Sequence, residues 1–124
     1  MKIEEIEIED WIDLDGPTRV DYDLFRNCKL RIERYAKPLI MSSVWAESLL
    51  GLKVKTGLDS CYTELTPYLD LVYESLEYPP NTLVVTIGGN YAPIGRIRYV
   101  NDLQHFLKSV LMDKGEGKSI FSVI

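Results

Sequence analysis

Apolar and polar positions alternate through residues 3–9, with Ile6 and Ile8 on one side and Glu5, Glu7 and Glu9 on the other. Period two predicts a strand with a charged outer face, and such charges discourage edge-to-edge pairing. Asp15-Gly16-Pro17 is a turn signal, so the strand should stop near Asp10.

The stretch TRVDYDLFRNCKLRIERYA predicts a hairpin with Phe25, Arg26 and Asn27 as its loop. In that register Asp23 faces Lys29, Tyr22 faces Leu30, Asp21 faces Arg31, Val20 faces Ile32 and Arg19 faces Glu33. Opposite charges and apolar partners then match on separate faces, each pair worth ~0.2–1 kcal/mol. Asn27 suits the left-handed position that such a loop needs.

Helical spacing follows from Pro38 to Leu50, with Gly51 where a C-cap belongs and Ser42 or Ser43 as an alternative N-cap after an extended start. Residues 52–57 are a short strand or a connector. TPYLDLVYESLEYPP predicts a helix, with Thr66 as cap, Pro67 in the first turn and a stripe of Leu65, Leu69, Val72 and Leu76. NTLVVTI and IGRIRYV are strands joined by GGNYAP. A last helix runs over 101–112, capped by Asn101, with Leu103, Phe106, Leu107, Val110 and Leu111 as its stripe. IFSVI at 120–124 closes the list of strands. The whole is an α+β fold, one domain over 1–124, with a mixed, largely antiparallel sheet of about five or six strands packed by two or three helices.

Composition changes this picture little. The chain has 124 residues, 46% hydrophobic and 27% charged, ordinary values for a globular domain. Its longest uncharged run, between Glu77 and Arg96, holds three prolines and three glycines, which excludes a spanning helix there. No segment has the pattern of a secretion signal, and Cys28 and Cys61 read as free thiols in a cytoplasmic protein. Frequent Ile, Tyr, Glu and Lys beside one Gln and one His point to a thermophilic or AT-rich source.

Charge is more informative. The net −5 divides into −6 over residues 1–27, +4 over 28–57 and −3 over the remainder. An acidic end with no long basic run repels phosphate backbones, so nucleic-acid binding is disfavoured and a basic protein surface is the partner that fits. Arg96 and Arg98 share a strand face, but the neighbouring aromatic, Tyr99, points to the opposite one, so a single-stranded nucleic-acid binder is the least favoured reading.

Candidate chemistry is sparse. His105 has Asp102 and Ser109 within helical reach, but three neighbours along one exposed helix enclose no substrate, and a solvated histidine is the simpler assignment. Without clustered His or Cys no transition metal or other cofactor is expected. Asp10, Asp13 and Asp15 lack the calcium-loop pattern. Trp11, ringed by those acids, has the make-up of a protein-binding anchor, unless it folds back on the core. The loop GGNYAPIG leads into a strand rather than a helix, so it is a hairpin or flap before it is a phosphate cradle.

The expectation is therefore a small acidic, nonenzymatic binding or inhibitor protein, the size and charge class of toxin immunity proteins and viral inhibitors of host defence. It would dock Asp10, Trp11, Asp13 and Asp15 on a basic surface, with self-association allowed and no catalytic residues. The alternative is a small-ligand binder or enzyme using Gly88, Gly89, Asn90, Tyr91 and Arg96.

Overall fold

The computed structural model describes residues 1–112, with side chains through Ser109. The strand expected at 120–124 lies outside the described residues. Among the described residues, two antiparallel sheets and four α-helices make the fold α+β, as the sequence predicts.

The N-terminal segment is not a strand. Ile3–Glu5 is one turn of 3₁₀-helix, which brings Ile3 and Ile6 to one side by their spacing of three. Ile6 is 4% exposed and Ile8 41%, whereas alternation would bury them together. A positive φ of 80° at Glu9 then turns the chain. The first strand, β1 (Trp11–Asp13), starts where the predicted one should have ended, and pairs with β2 (Pro17–Arg19) and β3 (Lys37–Pro38) in the order β2-β1-β3.

Between β2 and β3 the chain forms two short helices, α1 (Tyr22–Asn27) and α2 (Lys29–Tyr35), in place of the predicted hairpin. Asp21 does not face Arg31. Its carboxylate accepts from the Leu24 N–H at 2.7 Å and caps α1. Asp23 and Lys29 likewise sit on separate helices. Val20, Leu24, Cys28, Ile32 and Ala36 recur every four residues, a spacing that serves a helix as well as the alternation serves a strand. The basic residues find aromatic partners one turn back instead: Arg26 lies 5.9 Å from the Tyr22 ring centre and Lys29 5.6 Å from that of Phe25.

Helix α3 (Ser43–Leu50) takes the shorter of the two predicted forms. The Ser42 hydroxyl accepts from the Trp45 N–H at 3.2 Å, and Gly51, at φ 68°, ends the helix by donating to Glu47.

The second sheet is a five-stranded meander: β4 (Lys55–Thr56), β5 (Ser60–Thr66), β6 (Leu69–Ser75), β7 (Thr82–Ile87) and β8 (Asn90–Arg96). β5 and β6 replace the helix predicted over 66–78. Pro67 and Tyr68 form the turn, with the Tyr68 N–H on the Thr66 hydroxyl at 3.1 Å, so Pro67 opens a turn rather than a helix. Leu71 and Tyr73 are buried while Leu76, the end of the supposed stripe, is 85% exposed. The strand at NTLVVTI is as expected, but its partner is displaced from the predicted IGRIRYV: the turn is only Gly88-Gly89, at φ 58° and 82°, β8 begins at Asn90 and ends at Arg96, and residues 97–100 lie outside it, with Val100 opening the final helix.

The final helix, α4 (Val100–Phe106), starts one residue before its expected cap and continues as a wider π-type turn over Leu107–Met112. Asn101 is buried within it rather than capping it. Leu103 fills the core as predicted. One apolar core joins Ala46 of α3, Leu65, Leu71, Tyr73 and Leu83 of the large sheet, and Val100 and Leu103 of α4. A second lies under the small sheet and unites Ile6, Ile12, Leu14, Val20, Ile32 and Ala36. Among the described residues no helix is long and apolar enough to cross a membrane.

Candidate functional site

The large sheet sends Leu65, Leu71, Tyr73 and Leu83 into the core. Its opposite face carries no helix among the described residues and forms an open groove of about 790 Å³. Alternation along the strands puts Tyr62 and Glu64 of β5, Asp70 and Val72 of β6, Val84 and Thr86 of β7, and Tyr91 of β8 on this side. Val72 and Val84 are buried on its floor, outside both apolar cores. Asp59, Glu77 and Tyr78 close one end. The lining thus holds four carboxyl groups and three tyrosines, and no lysine or arginine among the described residues.

Glu64 and Asp70 are direct cross-strand partners. Like charges so placed oppose folding. Lys55 of β4 answers one of them, its Nζ 2.9 Å from Glu64 Oε1. Burial pushes the Asp70 carboxyl above its usual range; the Glu64 charge adds to this and Lys55 only partly offsets it. Behind the sheet, a buried 2.6 Å hydrogen bond joins the Thr63 and Tyr73 hydroxyls and fixes β5 against β6.

The residues expected to form an acidic docking surface are dispersed. Asp10 is buried, its Oδ2 accepting from the Glu7 N–H at 2.8 Å and lying 2.8 Å from His105 Nε2. Trp11 is half-buried against the larger core, with its backbone N–H on Gln104 Oε1 at 2.8 Å. The Asp13 carboxylate is spent on the Gly16 N–H at 2.9 Å. Asp15 alone stands exposed, at φ 60° in the turn.

Of the second set, Gly88, Gly89 and Asn90 make the hairpin end, and Tyr91 lines the groove. Arg96 is directed elsewhere, its Nε donating to the Pro80 carbonyl at 2.9 Å. Tyr91 is thus the one residue of either set that lies in the groove.

His105 is not simply solvated. The turn at residues 7–10 folds over α4, where Gln104 holds it twice, accepting from Trp11 and donating to the Glu9 carbonyl at 2.9 Å. Nε2 of His105 then meets Asp10 at 2.8 Å and Glu7 Oε2 at 3.7 Å, and Lys108 Nζ reaches Glu7 at 3.1 Å. Burial raises the Asp10 carboxyl above its ordinary value, opposed by the Glu7 N–H and by His105. These contacts span 93 to 101 residues of sequence, beyond any local pattern.

Glu64 and Asp70 escaped sequence reasoning because the helix assigned to 66–78 scattered them. The signal that finds them is the alternation of Tyr62, Glu64 and Thr66 on one side of Pro67 and of Asp70 and Val72 on the other. No protein-family model, curated protein or solved structure matches the chain.

Proposed function

We propose that this chain is a small acidic, nonenzymatic binding protein whose open sheet face takes a basic, extended segment of a partner protein. The carrying observation is the Glu64–Asp70 pair, two facing carboxylates in an open groove with one lysine, Lys55, to answer them among the described residues. A fold that keeps an unfavourable pair where no packing demands it gains when a cation arrives. Tyr62, Tyr78 and Tyr91 offer ring faces for lysine or guanidinium groups. The partner class remains the basic protein surface inferred from composition. The docking face moves from Asp10, Trp11, Asp13 and Asp15 to the sheet, since Asp10 is buried and Trp11 packs on the core. Covering a basic surface suits an inhibitor, and the free thiols Cys28 and Cys61 suit a reducing cytoplasm.

The test titrates a lysine- and arginine-rich peptide and a neutral peptide of equal length into the labelled protein, following amide shifts. Support is a salt-sensitive response to the basic peptide at Tyr62, Asp70 and Tyr91 that Glu64→Gln with Asp70→Asn abolishes. Equal responses to both peptides, or shifts confined to the Asp13–Asp15 turn, overturn the proposal.

A further inference from the structure

We infer that Glu7, Asp10 and His105 form a binding site for a divalent first-row transition ion of the zinc type, with a further coordination position left to water. One imidazole and two carboxylates are a donor set such ions accept. Their ligand atoms all lie within 4.8 Å of one another. A tetrahedral ion with bonds near 2.0–2.1 Å spaces its ligands about 3.3 Å apart. His105 Nε2 stands 3.7 Å from Glu7 Oε2 and 2.8 Å from Asp10 Oδ2, so a shift of about half an ångström admits the ion.

One further oxygen points to a missing ligand. Asp10 Oδ1, on the same carboxylate, is buried and has no hydrogen-bond partner among the described residues. An orphaned buried oxygen is costly, and a metal ion with its bound water satisfies it. The donors are also held in place from behind: Gln104 clamps the 7–10 turn onto α4 from both sides, and the Glu7 N–H orients the Asp10 carboxylate. Lys108, now on Glu7, is the cation that the metal displaces.

The experiment titrates zinc chloride into the metal-stripped full chain by calorimetry and follows the imidazole signals by NMR. His105 is the sole histidine, so those signals report this site and not the thiols. The expected result is one equivalent bound at micromolar Kd or tighter, with the His105 ring perturbed. His105→Ala and Glu7→Gln should each weaken binding about 100-fold, since second-shell partners alone cost 10–100-fold. Lys108→Ala should tighten it. Glu7 is exposed, so its variant decides the matter should His105→Ala unfold. No saturable binding, or a Glu7→Gln variant that binds zinc like the parent, overturns the inference.

Discussion

Glu64 and Asp70 face one another across β5 and β6, and the Lys55 ammonium, at 2.9 Å from Glu64, is bonded to that carboxylate alone of the two. The pair carries a stability cost that rises with pH. An acid whose folded pKa lies above its ordinary 3.8 holds its proton longer in the native state, so stability falls as pH climbs between the unfolded and folded values. Asp70→Asn removes that fall. Urea midpoints should show the variant more stable at pH 7, by up to about 1 kcal/mol, and level with the parent at about pH 3. The same variant should bind a basic peptide more weakly, the opposed signs expected of a functional residue.

Trp11→Ala should cost about 2 kcal/mol or more of stability, because the ring packs on the larger core. Asp15→Gly should be neutral or stabilising, since it relieves a left-handed backbone at φ 60°. Thermal melts of the two variants check both signs together.

Asn81 sits at φ 60°, and its Nδ2 donates to the Met41 carbonyl at 3.2 Å from a buried position. Asn81→Ala therefore pays for both strain and an orphaned acceptor, about 2–3 kcal/mol in chemical denaturation. Asn81→Gly should recover the backbone share and leave about 1 kcal/mol missing.

Gly88→Asn should stabilise the β7–β8 hairpin. Both turn residues hold positive φ, the geometry for which Asn-Gly is preferred, and the unfolded chain loses freedom that glycine gives it. A gain of about 0.4–1 kcal/mol is expected, read as a shift in urea midpoint at constant slope.

What the sequence made legible were the elements whose ends are punctuated. Ser42 and Gly51 bound α3, and Gly88-Gly89 closes the β-branched run of β7. The misassigned segments are those in which two periods coincide. Residues 19–33 satisfy period two by charge and period four by apolar spacing, and only the capping role of Asp21 separates them. At 66–78 the pair Thr66-Pro67 begins a helix or a turn equally well, and the β-rich neighbours on both sides carried the decision. The groove carboxylates were lost with that assignment. The meeting of Asp10 with His105 depends on a fold spanning 95 residues, which no window of sequence contains.

The outermost strand of the large sheet, β8, has every residue exposed, Tyr91 and Ile94 among them. Such a strand ordinarily invites a neighbour's backbone and begins a fibril. Pro93 interrupts its row of donors, and the register slips opposite it between Leu83 and Val84. At the other border β4 is two residues long. Concentrated solutions should thus stay dispersed, free of cross-β growth, while the groove between those borders stays open.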